Sequence, residues 1–258
     1  MRGPILTPES AFLGVIAAGL LLGYVLVAVW APIRFRWRYW HAADPTYEPL
    51  DGDDLPPDVA GMLDVLAELD FVFLGHWQHA GNPSATAYVT VMEGPQTRDV
   101  AKVLEVTTAT RRQVTLVFQT RFEDGTEVAT TNSRLTTGLR SPPGITAVWL
   151  PQVRDVWQLY RVHSQVRDGL GAGKERLPVG PDPVAFLKAG SDRMFRHWLA
   201  SGYYYLDEAR GVYRPTWKGA VLMTWRLLRP VRPLYNAWRG RQTRKLLNAL
   251  DIEVEPWD

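Results

Sequence analysis

The first apolar pattern along the chain is an unbroken run near the N-terminus. Residues 11–31 contain no charged side chain, and a helix of that length measures about 31 Å at about 1.5 Å per residue. The hydrocarbon core of a bilayer is about 30 Å thick. Basic and aromatic residues follow the run, a composition typical of the headgroup layer: Arg34, Arg36, Trp37, Arg38 and Trp40. We therefore predict a single transmembrane helix over 11–31.

The charges that flank this run predict its orientation. Three arginines follow it within seven residues, whereas Arg2 and Glu9 precede it. Because positive flanks stay in the cytoplasm, we expect residues 1–10 outside and the main domain inside, with the run acting as a signal anchor in the cell inner membrane. A cleaved signal peptide is the alternative, but its apolar region is usually shorter.

Small residues recur within the same run. Gly19 and Gly23 form a GxxxG pair, a spacing that lets two membrane helices approach closely. This pair predicts helix association, either as a homodimer or with a membrane-protein partner.

The remaining pattern predicts an α+β fold with an antiparallel sheet of about five strands packed by helices. Residues 32–58 are rich in Pro, Gly and Asp, which indicates a juxtamembrane linker. Within 59–168, a helical period precedes a run of alternating strands joined by short turns, so neighbouring strands should be antiparallel. The predicted strands are 71–79, 85–92, 100–108, 113–122 and 127–131.

A second helical section follows at 182–250. Asp182 with Pro183 is a good helix start, and Thr216 begins another helix. A hairpin is expected between these two helices, and a last helix is expected near the C-terminus. The section is basic: from 209 to 250 there are ten Lys or Arg and no Asp or Glu.

Within this section, the stretch 217–228 is too short and too charged to cross a bilayer, but it is suited to lie on an anionic leaflet. The residues predicted to touch the membrane surface here are Trp217, Lys218, Trp225, Arg226 and Arg229. Two other interpretations stay open. The cations could form an ordinary solvated face, or they could pack against the acidic run 44–70, which has nine acids.

Residues 191–228 carry a resemblance to a known family. They read helix, hairpin and then a helix that opens with residues 213–219, Tyr-Arg-Pro-Thr-Trp-Lys-Gly. This resembles the wing and following helix of winged-helix DNA-binding domains. The resemblance implies nucleic-acid binding, but the tight helix-turn-helix of that family is missing upstream. We therefore favour a winged-helix-like fragment used for packing, with a membrane-tethered nucleic-acid binder as the less favoured alternative.

Composition limits the chemistry. The chain has no Cys, which excludes thiol nucleophiles and Cys-ligated metals. No phosphate-loop, metalloprotease or serine-hydrolase motif is present. The catalytic candidates are His76 and His163, which an enzyme or ligand binder could place in a pocket between the sheet and the helix that carries His163, beside Thr120 and Asn132. We predict no cofactor and no metal, and expect a membrane-anchored interaction or scaffold module.

Overall fold

A computed structural model describes residues 8–51, 55–80, 85–108, 111–134, 139–228 and 231–254. Within these residues there are six helices: α1 Pro8–Arg38, α2 Pro57–Glu68, α3 Val156–Leu170, α4 Pro183–Ala200, α5 Trp217–Leu227 and α6 Val231–Ala249. The strands are β1 His41–Ala42, β2 Thr46–Pro49, β3 Val72–Ala80, β4 Thr86–Gly94, β5 Asp99–Thr108, β6 Arg111–Phe122, β7 Glu127–Thr131, β8 Ile145–Trp149, β9 Arg176–Leu177, β10 Tyr204–Asp207 and β11 Val212–Pro215.

The strands form two sheets. The larger sheet has eight strands in the order β2-β3-β4-β5-β6-β7-β8, with β9 paired to the end of β6. All of its pairs are antiparallel except β7 with β8, which are parallel. The smaller sheet has the order β1-β11-β10 and is antiparallel. The chain therefore folds as an α+β protein with one mixed sheet.

The two faces of the large sheet are covered by different helices. Alternation along β6 sends Leu116, Phe118 and Phe122 to one face, where they are fully buried among residues of α2 and α3. The other face carries Val89, Val91 and Val100 under Phe186 of α4. Since neighbouring residues of a strand point to opposite faces, each strand of the sheet serves two separate cores.

Helix α6 protects the edge of the large sheet at β8. The backbone N–H of Trp149 in β8 donates to the hydroxyl of Thr243 in α6, at 3.1 Å. The guanidinium of Arg239, also in α6, lies 4.4 Å from the centre of the Trp149 ring. An uncovered edge strand would present free backbone donors to other chains, so this packing closes one end of the sheet.

Helix α1 is long and apolar enough to cross a membrane. The segment Val15–Trp37 meets both criteria, and its apolar side chains are largely exposed. The helix continues through Pro32 to Arg38, beyond the end predicted at residue 31. Pro32 is buried against the protein, and such packing compensates for the backbone hydrogen bond that a proline cannot donate inside a helix.

Comparison with the predicted elements gives agreement and one correction. The five predicted strands correspond to β3–β7, and the helices predicted from Asp182 and Thr216 correspond to α4 and α5. The prediction of about five strands is wrong, because the large sheet has eight. The additional strands β2, β8 and β9 are two to five residues long, too short to show a pattern. Residues 32–58, predicted as a linker, hold the end of α1 together with β1 and β2.

Candidate functional site

The end of α1 is embedded in the rest of the protein through helix α5. The two helices pack side by side, and the guanidinium of Arg36 lies 4.8 Å from the centre of the Trp217 ring. The same guanidinium lies 5.6 Å from the ring of Trp37. Cations over indole rings attract the ring quadrupole, so Arg36 links the apolar helix to the folded domain.

The sequence of α5 explains which side faces the domain. Thr216 caps the helix, its hydroxyl accepting a bond from the N–H of Gly219 at 3.1 Å. A side chain at position 219 would begin 2.0 Å from the carbonyl oxygen of Tyr203, so glycine allows the close approach there. Further along, Ala220 and Met223 are buried. The helix therefore docks closely through its small and buried residues.

The opposite side of α5 is an exposed apolar stripe. Trp217, Val221 and Trp225 are spaced four residues apart, so they lie on one helical face, and they are 50%, 39% and 53% exposed. On α1, Trp30 and Trp37 are also exposed, and the Arg34 guanidinium lies 5.2 Å from the Trp30 ring. We define the collar as Trp30, Arg34, Arg36, Trp37, Trp217, Val221 and Trp225.

The other residues predicted at a membrane surface have mixed surroundings. The ammonium of Lys218 donates to the carbonyl of Ser201 at 2.8 Å, and the Arg226 guanidinium lies 4.9 Å from the ring of Tyr235. Trp40 is half-buried. Arg229 and the side chain of Arg38 lie outside the described residues. These contacts join the basic section to its neighbours, while Lys218 itself stays exposed.

The acidic run 44–70 pairs elsewhere. Asp44 binds Lys188 at 2.6 Å, and Asp58 binds Arg112 at 2.8 Å. In the basic section, Arg214 approaches Asp207 at 3.2 Å within the small sheet. The partners of Asp44, Asp58 and Arg214 therefore lie outside the opposite run. The internal charge pairing considered from the sequence therefore has no support from these contacts.

His163 lies in a sealed polar cluster between α3 and the large sheet. Its ring nitrogens lie 2.9 Å from the hydroxyl of Thr120 and 3.0 Å from that of Thr130. Thr120 in turn donates to Asp99 at 2.5 Å. His163, Thr120, Thr130 and Asp99 have at most 1% of their surface exposed. The cluster is hydrogen-bonded and closed to solvent, so α3 leaves no pocket above it.

Asp99 holds the charge of this cluster. Tyr160 donates to one of its oxygens at 3.0 Å, and a guanidinium nitrogen of Arg167 forms a short ion pair with the same oxygen. Burial alone would raise the pKa of Asp99, but its interactions with His163, the hydrogen bond from Thr120 and the charge of Arg167 bring that pKa down to about 2. Burial lowers the pKa of His163, and the nearby Asp99 opposes that shift. This pattern fits an ionised Asp99 at the centre of the cluster.

His76 does not join His163. It lies on β3, where its ring binds the Thr90 hydroxyl at 2.8 Å and stacks on Tyr88. Three strand spacings and about four residues of register separate the two histidines, on the order of 20 Å. Asn132 accepts a bond from the N–H of Leu116 instead of facing a pocket. The described residues hold no cluster that could bind a metal ion.

A cavity does exist, on the face of the sheet that α4 covers. Its volume is about 430 Å³, within the range of small-molecule sites. The walls are mainly apolar and include Leu104 of β5 and Phe186 of α4. Another wall is formed by Tyr39 directly after α1, His41 of β1 and Tyr47 of β2. We call this space the α4 cavity.

Charged groups line one part of the α4 cavity. Lys102 of β5 is surrounded by protein yet keeps accessible surface, and its ammonium donates to Gln119. Arg121 of β6 stacks 3.8 Å from the centre of the Phe186 ring. The guanidinium groups of Arg121 and Arg193 approach the carboxylate of Glu127 at 3.7 and 3.6 Å. Burial lowers the pKa of Lys102 to about 8.

Two inward-facing cations in the sequence are a signal for this cavity, although they belong to no known motif. Lys102 and Arg121 interrupt the apolar alternation of β5 and β6 at inward positions. An ionisable residue on a buried strand face is rare unless it is paired or functional. Comparison with known proteins adds no identity: the chain matches no protein-family model, and no curated protein or solved structure is significantly similar to it.

Proposed function

We propose that the chain is a single-pass membrane protein whose folded domain rests on the cytoplasmic leaflet through the collar. Helix α1 supplies the span, and the collar supplies a second contact at its end. The domain then acts as an interaction or scaffold module held close to the bilayer. The lipid bilayer, and in particular its anionic headgroups, is the first partner of the protein.

The packing of α5 on α1 is the observation that carries this proposal. If α1 crosses the bilayer, the stripe of Trp217, Val221 and Trp225 lies beside the end of the span. Indole rings favour the interface between headgroups and acyl chains, and an amphipathic helix lies there with its apolar face down. The arginines of the collar favour an anionic leaflet, at roughly 1 kcal/mol each near the surface.

The same contacts weigh against nucleic-acid binding. The hairpin β10–β11 followed by α5 has the local geometry of a wing and its following helix. However, α5 packs on α1, and Lys218 and Arg214 already bind Ser201 and Asp207. A recognition helix must be free to enter the major groove, yet the helix before the hairpin, α4, is also packed, with Phe186 against the large sheet. This fragment is therefore better explained as a packing unit.

Self-association through α1 stays a prediction. Nothing in the protein lies within 4 Å of where side chains at Gly19 and Gly23 would begin, so this surface is open to another helix. Crosslinking of the full chain in membranes should capture a dimer that Gly23→Ile weakens. A dimer yield that Gly23→Ile leaves unchanged would contradict the prediction.

Sidedness tests the anchored topology directly. The chain has no Cys, so single cysteines can be introduced without a background. A membrane-impermeant maleimide should label Ser10→Cys only from the extracytoplasmic side, and Arg154→Cys, on the exposed loop before α3, only from the cytoplasmic side. Labelling of both positions from one side, or release of the protein by alkaline carbonate, would contradict the proposal.

A further inference from the structure

The α4 cavity carries more positive charge than the protein around it neutralises. Three cations line it, Lys102, Arg121 and Arg193, against one enclosed carboxylate, Glu127. Asp192 lies at an exposed position of the lining. Enclosed charges are normally paired, so the surplus of positive charge favours an anionic ligand.

The hydrogen bonds lead to the same conclusion. The ammonium of Lys102 has three donors, and among the described residues its side-chain partner is the amide oxygen of Gln119. The buried Nε of Arg121 has no hydrogen-bond partner there. Its distance to Glu127, 3.7 Å, is too long for a hydrogen bond. Within the described ranges, Lys102 and Arg121 therefore both keep hydrogen-bond donors without partners in one region of the cavity.

The rest of the cavity is suited to an apolar chain. Leu104 and Val106 of β5 continue from Lys102 on the same strand face, opposite Phe186 and Met194 of α4. An anion such as free phosphate would not use these walls, whereas an acyl chain would bury its methylenes there. Tyr39, directly after α1, forms part of the wall, so the cavity adjoins the juxtamembrane end of the apolar helix.

We propose that the α4 cavity binds a single-chain anionic amphiphile, with its carboxylate or phosphate on Lys102 and Arg121 and its chain between β5 and α4. Two sources have this chemistry: free fatty acids and lysophospholipids drawn from the membrane. The cavity and the collar are separate surfaces, so binding in the cavity can fail while the collar holds, and the reverse.

A headgroup series on the unaltered protein gives the first test. The full chain is placed in phosphatidylcholine nanodiscs, and binding of radiolabelled dodecanoate, dodecyl phosphate, dodecanol and dodecyltrimethylammonium is measured against empty nanodiscs. We expect the two anions to saturate at one per chain and to bind at least tenfold more tightly than dodecanol, with the cation weakest. Equal binding of all four would overturn the proposal.

Variants locate the site. Lys102→Met should lower dodecanoate affinity at least tenfold and leave dodecanol binding unchanged, because only the headgroup contact is removed. Arg154→Met, which removes an exposed cation outside the cavity, is the matched control and should change neither. A Lys102→Met protein that still binds dodecanoate normally would refute the assignment.

Mass spectrometry then separates the two sources. Wild-type protein is incubated with nanodiscs containing both palmitate and palmitoyl lysophosphatidate, repurified and analysed for retained lipid. The lipid retained by the wild type and absent from Lys102→Met is the physiological class. Retention of neither lipid by the wild type would contradict the proposal.

Discussion

At the scale of single residues, the fold depends on charges that are buried and must stay paired. Asp99 is the clearest case, because four side chains converge on or beside its carboxylate: Thr120, Tyr160, His163 and Arg167. Removing one partner of a buried ion pair typically costs about 3–5 kcal/mol, since the other charge is left without compensation. Replacing Asp99 should therefore lower stability more than any surface substitution does.

Asp99→Asn should lower the free energy of unfolding by about 3 kcal/mol, because Arg167 would lose its buried anion and keep only the exposed carboxylate of Asp168. Urea titration of the detergent-solubilised chain, followed by circular dichroism, measures this change. Asp64→Asn, at an exposed position of α2, serves as the control and should alter the value by less than about 0.5 kcal/mol. Equal stabilities of the two variants would contradict a structural role for the cluster.

The pH dependence of stability should report the same carboxylate. The pKa of Asp99 is lowered from 3.8 to about 2 in the folded protein, so its contribution is complete above about pH 4 and is lost as the pH falls towards 2. The difference corresponds to about 2 kcal/mol. Urea titrations of the wild type at pH 4.5 and pH 2.5 should show most of this loss. Asp99→Asn should show a smaller difference between the two pH values, because it has no carboxylate at position 99.

Lys102 should behave in the opposite sense, as a residue that costs stability. Its ammonium is enclosed and incompletely paired, and an enclosed charge costs stability unless it is paired and hydrogen-bonded. We therefore expect Lys102→Met to raise the melting temperature by at least about 2 °C without added ligand. Differential scanning fluorimetry measures this; a lower melting temperature than wild type would contradict it.

At this scale, the sequence predicted less than at any other. It identified His163 as a residue on the apolar face of a helix, and the structure places it in the core. It could not reveal the partners of Asp99 and Lys102, because these come from strands and helices 17 to 68 positions away. Pairing of that kind follows from the strand register, which one sequence does not specify.

At the scale of elements, close contact between α5 and the small sheet decides where the collar lies. Gly219→Ala would place a carbon 2.0 Å from the carbonyl oxygen of Tyr203, so the helix must move away from β10. We expect the melting temperature to fall by at least about 5 °C. Gly240→Ala, in open space on α6, removes a glycine from a helix too and should stabilise slightly.

Elements with strong local signals were predictable. The helix starts at Asp182 and Thr216 appear in the structure at the predicted positions. Short edge strands such as β8 and β9 were not, since they are held by pairing with β7 and β6 and have little pattern of their own. The same applies to β1, which exists through its pairing with β11.

At the scale of the whole molecule, the apolar helix and the folded domain form one unit. The residues directly after α1 enter both sheets as β1 and β2, and α5 returns from nearly 200 residues further along to pack on α1. The sequence predicted both the apolar helix and the basic section. That the two meet follows from long-range packing, which charge and periodicity do not encode.

The position of the α5 stripe relative to the bilayer tests the central claim most directly. Nitroxide labels on Val221→Cys, Arg154→Cys and Leu20→Cys in anionic nanodiscs report depth through their relative accessibility to oxygen and to a water-soluble nickel chelate. We predict that the label at 221 lies at headgroup depth, between the watery label at 154 and the deeply buried label at 20. A label at 221 as accessible to the nickel chelate as the one at 154 would contradict the account.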